Sequence, residues 1–156
     1  MAFIPQDVKH LLEKHHVTVV ASRDGKNAIH TSAKGILAVD PRGKIFVLDI
    51  YKGRTYRNIK RNPHVTLTTI DERAFKGYSV KGRAKIINEG AVPKNRLEIW
   101  HAKLATRIAR RLIRHVKGES PGHEGIPEAR FPFPKYIIEV SAERITDLAP
   151  QKLKVK

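Results

Sequence analysis

The chain has 156 residues, 40% of them hydrophobic and 29% charged, a balance that suits one folded domain and excludes a disordered chain. There is no cysteine, so disulfides, thiol catalysis, iron–sulfur clusters and thiolate zinc sites are all excluded. Lys+Arg is 31 against 15 Asp+Glu, a formal net charge of +16, which draws anions: nucleic acid, anionic lipid or a phosphorylated cofactor.

No apolar run approaches the roughly 18 residues of a membrane span, and no membrane partner is expected. The start, MAFIPQDVKHLLEKHH, lacks a signal-peptide core, so a cytoplasmic location is expected. One domain is read over residues 1–150, followed by a basic tail, 151–156.

Residues 5–16 predict a short helix, with Pro5 in its first turn and Val8, Leu11 and Leu12 as its apolar stripe. The β-branched run Val17 to Ser22 predicts a strand. Residues 23–27 follow as a hairpin turn centred on Asp24-Gly25. Ala28 to Val39 and Lys44 to Ile50 predict two more strands, joined by the Asp40-Pro41-Arg42-Gly43 turn.

Thr55 is placed to cap a short helix that ends before Asn62-Pro63. His64 to Ile70 predicts a fourth strand, with Val65, Leu67 and Thr69 on one face. Phe75 to Ile87 predicts a long fifth strand whose inner face is Tyr78, Val80, Ala84 and Ile86.

The spacing of Leu97, Trp100, Leu104, Ile108, Leu112 and Val116 predicts one long helix over 93–117. Residues 118–134, rich in Gly and Pro, read as irregular. Tyr136 to Ala142 predicts the last strand. Six hairpin-linked strands with one long and two short helices predict a small antiparallel β-barrel, mainly β, with its long helix towards the C-terminus.

Two segments carry chemistry. The third strand runs into Lys52-Gly53-Arg54-Thr55, which opens a helix and offers two cations, a hydroxyl and free backbone N–H groups, the parts of a phosphate site. As a plain structural element it is a solvated turn with Thr55 as a cap. The second strand is polar on both faces, with His30, Ser32 and Lys34 on one and Thr31 on the other. Such groups on an inner face suggest a ligand; the alternative is an exposed edge strand.

The ordered set of strand, Asp-Gly turn, strand, Asp40-x-x-Gly43 turn and strand, then Arg54-Thr55-x-x-Asn58-Ile59-x-x-Asn62-Pro63-x-Val65 and Gly77-x-x-Val80-x-Gly82-x-Ala84, resembles the pyridoxamine 5'-phosphate oxidase-like FMN-binding split-barrel family. The likeness spans roughly residues 5–90. It implies a homodimer with FMN at the subunit interface. It also implies that His30, Thr31 and Ser32, with Lys52, Arg54 and Thr55, grip the flavin phosphate, and that the ring lies near Asp49.

Two departures stand out. The family's oxidases proper carry an Arg–Lys pair where this chain has Arg54-Thr55. Their C-terminal signature holds a Trp and an Arg–Leu pair, where this chain ends with Ile145-Thr146-Asp147-Leu148-Ala149-Pro150. Oxidation of vitamin B6 is therefore not expected. Relatives of this length include flavin-binding electron carriers, flavin reductases, deazaflavin-dependent reductases and haem-binding forms, and the fold does not choose among them.

The expected function is thus an FMN-dependent oxidoreductase acting on a small-molecule substrate, with an electron donor. A flavin carrier without turnover is one alternative, and a deazaflavin coenzyme or haem would be the less favoured cofactor. A nucleic-acid-binding barrel is the other alternative. It would use helix 93–117, which holds eight Lys+Arg against one acid and aligns Lys103, Arg107, Arg110, Arg114 and Lys117. The histidines show no metal spacing, and Asp49 has no legible acid–base partner.

Overall fold

The computed structural model describes residues 1–118 and 134–151. Alternation decides which side of each strand turns inward. In β1 (Val17–Arg23) Thr18, Val20 and Ser22 are buried while their neighbours are open. β3 (Lys44–Leu48) sends Ile45 and Val47 inward, β4 (His64–Asp71) sends Val65 and Leu67, and β5 (Lys76–Asn88) sends Val80 and Ala84, as its even-numbered pattern predicts. β2 (Ile29–Asp40) and β6 (Tyr136–Asp147) complete the set. The strands pair antiparallel in the order β1-β2-β3-β6-β5-β4, and β4 closes back on β1, so the predicted barrel is formed. Each large aliphatic side chain sealed inside contributes about 1.5–3 kcal/mol.

The two ends of the barrel are closed differently. α1 (Gln6–His15) covers one end with Val8 and Leu12, preceded by Ile4, all within the inner core. It is tied down by the Tyr78 hydroxyl, which donates to Asp7 at 2.7 Å, and by Lys14, which pairs with Asp71 at 3.0 Å. α2 (Arg54–Arg61) covers the opposite end with Ile59. α3 (Lys94–Val116) lies outside the wall. There Trp100 and its neighbours meet Leu37, Ala38, Phe46 and Ile137 in a second apolar cluster.

Several local details depart from expectation. The first hairpin places Asn27, not the Asp-Gly pair, in the left-handed region (φ 68°), and Asp24 Oδ1 accepts from the N–H groups of Lys26 and Ala28 at 2.9 Å each. A short Asx-type loop replaces the tight Asp-Gly turn. The Asp40–Gly43 turn is as predicted, and Gly43 supplies its positive φ of 107°.

β2 contains a bulge at Leu37, so Leu37 and Ala38 face outward while Ile36 and Val39 face inward. β6 runs five residues past the expected Ala142, because the long β5 offers it a ladder as far as Tyr78↔Asp147. Where the two strands slip register, a Cβ at Gly82 would strike the Ser141 carbonyl, which explains the glycine.

The segment expected to be irregular, 118–134, lies outside the described residues except for its two ends, as does the tail from 152. No helix among the described residues is long and apolar enough to cross a membrane.

The Tyr78–Asp7 bond gives a pH test of the α1 closure. Donation to Asp7, then burial, raises the Tyr78 phenol from 10.0 to about 12. A raised folded value means the contribution is complete below pH 10 and is lost as pH climbs through about 12. Between those values the wild type should lose more stability than Tyr78→Phe, measured by urea denaturation at stepped pH. Parallel losses in the two proteins would exclude this bond as the cause.

Candidate functional site

The inner face of β2 changes character along its length. Ile36 belongs to the core, but Lys34, Ser32 and His30, each two residues earlier, continue the same face as polar, partly open groups. α2 arrives against this end of the barrel. Its first residue is Arg54 and its N-cap is Gly53, with no side-chain cap.

Thr55 is therefore not the cap predicted from its position. It is the second helical residue, 1% exposed, and its hydroxyl shares a 2.8 Å hydrogen bond with the Ser32 hydroxyl. Behind this pair the buried Asn58 Nδ2 donates to Ser22 Oγ at 3.1 Å. Polar side chains from β1, β2 and α2 thus form two hydrogen-bonded pairs, each joining α2 to the wall. Arg54 and Lys52 stand exposed beside them, and the first turn of α2 leaves backbone N–H groups without a side-chain acceptor.

A second polar cluster adjoins these pairs. Asp49 follows β3 at the next inward position after Val47 and is 2% exposed. One carboxylate oxygen takes the Lys34 ammonium at 2.6 Å, and the other accepts the Tyr136 hydroxyl from the start of β6. The expectation that Asp49 lacks partners is thereby corrected. Burial, and secondarily the bond to Asp49, push the Tyr136 phenol far above its ordinary value, so it stays a donor. The Tyr51 carbonyl lies 3.3 Å from the same hydroxyl. Tyr56 meets Tyr136 edge-on at 4.9 Å, and the Lys52 and Lys60 ammonium groups approach the Tyr56 ring at 5.3 and 5.6 Å.

Of the seven predicted site residues, Ser32 and Thr55 are joined directly, and Asp49 is joined to the same strand through Lys34. His30 lies further along their face of β2, and Lys52 and Arg54 flank the opening of α2. Thr31 is exposed on the opposite face of β2, opposite Ala21 in the ladder. Lys34 and Tyr136 were not among the seven. The available signal was a charged residue at an inward position on each of two neighbouring strands, Lys34 below Ile36 and Asp49 above Val47, which implies a buried ion pair.

The basic stripe expected on the long helix is broken in the structure. Lys103 turns inward and donates to the bulge carbonyls of Ile36 and Leu37 at 3.1 and 2.6 Å, and burial lowers its basicity. No group of His, Asp and Glu among the described residues is arranged to hold a metal ion.

A family model described as pyridoxamine 5'-phosphate oxidase matches residues 4–148. The chain belongs to that family. Solved structures with the same fold include an F420 reductase (21% identity, TM-score 0.58, covering 92% of this chain and 98% of that one). Another is the haem storage protein HutZ from Vibrio cholerae (15%, 0.53, 93% and 94%). A third is an FMN-binding protein from Syntrophomonas wolfei subsp. wolfei (11%, 0.57, 91% and 84%). At these identities the likeness is one of fold. No curated protein matches the chain. This member of the oxidase family keeps the barrel and places its polar residues at the α2 end.

The Asp49 cluster predicts a defined energetic signature. Tyr136→Phe strands one carboxylate oxygen and should cost about 1.5–3 kcal/mol. Lys34→Met leaves a buried charge unpaired and should cost about 3–5 kcal/mol. Lys34→Met combined with Asp49→Leu should cost less than Lys34→Met alone, read from urea denaturation midpoints. Additive losses would show that the two side chains do not act as a pair.

Proposed function

We propose that this chain binds FMN noncovalently as a homodimer and serves as an oxidoreductase for a small-molecule substrate, with a separate electron donor. The observation that carries the reading is the Ser32–Thr55 hydroxyl pair at the uncapped start of α2, flanked by Arg54 and Lys52.

The donor set suits a phosphate dianion. Two hydroxyls can donate, two cations balance the charge, and the helix start adds backbone N–H groups with the favourable end of its dipole. In this reading Ser32, Thr55, Arg54 and Lys52 hold the phosphate, His30 borders it, Thr31 on the outer face of β2 stands away from it, and the ring lies towards Asp49. Both oxygens of Asp49 are already engaged, so the protein's part is to bind and orient. Bound FMN would supply hydride or electron transfer. The phosphate-type donor set favours FMN in this reading, and the FMN-binding protein of the same fold is compatible with it, as the F420 reductase and the haem storage protein are with the other cofactors.

The dimer rests on an uncharged outer wall. The outward residues of β1, β2 and β4 align in rows, Thr68–Val19–Ala33 and Thr66–Ala21–Thr31, with Ile29 and Ile70 exposed at its margins. A solvated wall would carry charges. The outer part of α3 adds Ile113 and Val116, the latter 86% exposed, beyond what one barrel covers. Light scattering at micromolar concentration should give twice the 17.7 kDa chain mass. Val19→Glu should yield a folded monomer. A wild-type monomer would remove this part of the reading.

For the cofactor, the purified protein should show flavin absorbance bands. Arg54→Ala should weaken FMN binding roughly ten- to a hundred-fold, the loss of one charge-assisted hydrogen bond of ~1.5–3 kcal/mol. Riboflavin, which lacks the phosphate, should bind both proteins almost equally. Equal losses for FMN and riboflavin would mean that Arg54 supports the barrel and not the phosphate.

A further inference from the structure

We propose that the outer face of β5 is a docking surface for the phosphodiester backbone of nucleic acid, separate from the cofactor site and from α3. Lys81, Arg83 and Lys85 occupy alternate positions of β5 and are all exposed. Strand geometry therefore sets them in a straight row at intervals of about 6.6–6.8 Å.

The ladder adds a cation beside the row: Arg144 of β6 lies directly opposite Lys81, while His64 of β4, opposite Arg83, adds a hydrogen-bonding imidazole. Like charges placed opposite each other on a sheet are destabilising, so this arrangement weakens the isolated fold. A polyanion that threads between the cations reverses the sign of the effect.

The nearby acids do not neutralise the row. Glu139, opposite Lys85, is already paired with Lys44 at 3.1 Å, which leaves Glu143 as the acid beside it. The row offers cations and no Phe, Tyr or Trp side chain for base stacking. The chemistry is therefore backbone recognition without base preference. A membrane surface fits less well, because the row carries no apolar side chain to insert. The α3 stripe fits less well because Lys103 is withdrawn into the β2 bulge.

The test is fluorescence anisotropy of the full chain with a labelled single-stranded RNA and a labelled DNA duplex, across 50–300 mM salt. The wild type should bind at least one of them with a steep salt dependence. Each phosphate contact adds about 0.7 to the log–log slope for a single strand and about 0.9 for a duplex. The triple variant Lys81→Gln/Arg83→Gln/Lys85→Gln should therefore lower the slope by roughly 2–3 while flavin content and thermal midpoint stay unchanged. Should that variant fold poorly, Lys85→Gln with Arg144→Gln should lower it by roughly 1.4–1.8.

Arg107→Gln/Arg110→Gln/Arg114→Gln is the comparison and should leave the slope unchanged. Absence of wild-type binding to either probe, an unchanged slope in the β5 variants, or a loss confined to the α3 variant would each overturn the proposal. So would binding to anionic vesicles in place of both nucleic acids.

Discussion

The buried carboxylate of Asp49 organises the functional end of the barrel. An ionised carboxyl removed from water is tolerated only with matched partners. Here they come from both neighbouring strands, Lys34 on β2 and Tyr136 on β6, so one side chain ties three adjacent strands at their mouth. The same hydroxyl lies beside the Tyr51 carbonyl, which in turn accepts the Gly53 N–H at 2.7 Å. The turn that launches α2 is thus referenced to the carboxylate. Through it, the positions of Arg54 and Thr55 depend on a charge pair they do not touch.

This explains why the two ends of one barrel differ. The α1 end is closed by aliphatic packing of Ile4, Val8 and Leu12, with its hydrogen bonds and ion pairs at the rim. The α2 end contributes Ile59 to the core but also lines the interior with Ser22, Ser32, Thr55 and Asn58. A purely structural plug would be apolar, because each buried polar group must find a partner to avoid a desolvation cost. Here the interior polar groups are bonded in pairs, Ser32 with Thr55 and Ser22 with Asn58, which satisfies them beside the exposed Arg54 and Lys52.

The elements were legible in the sequence because local pattern and tertiary environment agree in most of them. Val65-x-Leu67-x-Thr69 alternates since one face is inside and the other is not. The apolar run Ile36-Leu37-Ala38-Val39 was legible as strand, but not its bulge. All four residues are buried, two under the barrel interior and two under α3, so no alternation marks the slip. The extension of β6 to Asp147 was hidden because it rests mainly on ladder hydrogen bonds, with Ile145 alone packing against the core beyond Ala142. Glu143 and Arg144 carry no apolar signal. At the candidate site the helix start at Arg54 and Thr55 was legible from the turn that precedes it. The bonding of Thr55 is not legible because a cap and a first-turn hydroxyl look alike in sequence. The separation is tertiary: only the proximity of Ser32, 23 residues away, decides it.

The charge of +16 has a spatial logic that composition alone conceals. Around the barrel exterior, the middle of β1, β2 and β4 presents Val, Ala and Thr, with Arg23 and His64 at one end, and the next strand in the same sheet presents Lys81, Arg83 and Lys85. Uncharged side chains tolerate close contact with a second protein surface, whereas a row of cations repels a copy of itself and attracts a polyanion. The division therefore limits how two copies can meet. A symmetric dimer that covers the uncharged wall leaves β5 at its margin, and one that covers β5 opposes two basic rows at short range. Electrostatics favours the first arrangement for the proposed dimer, which would leave the basic strand open to solvent.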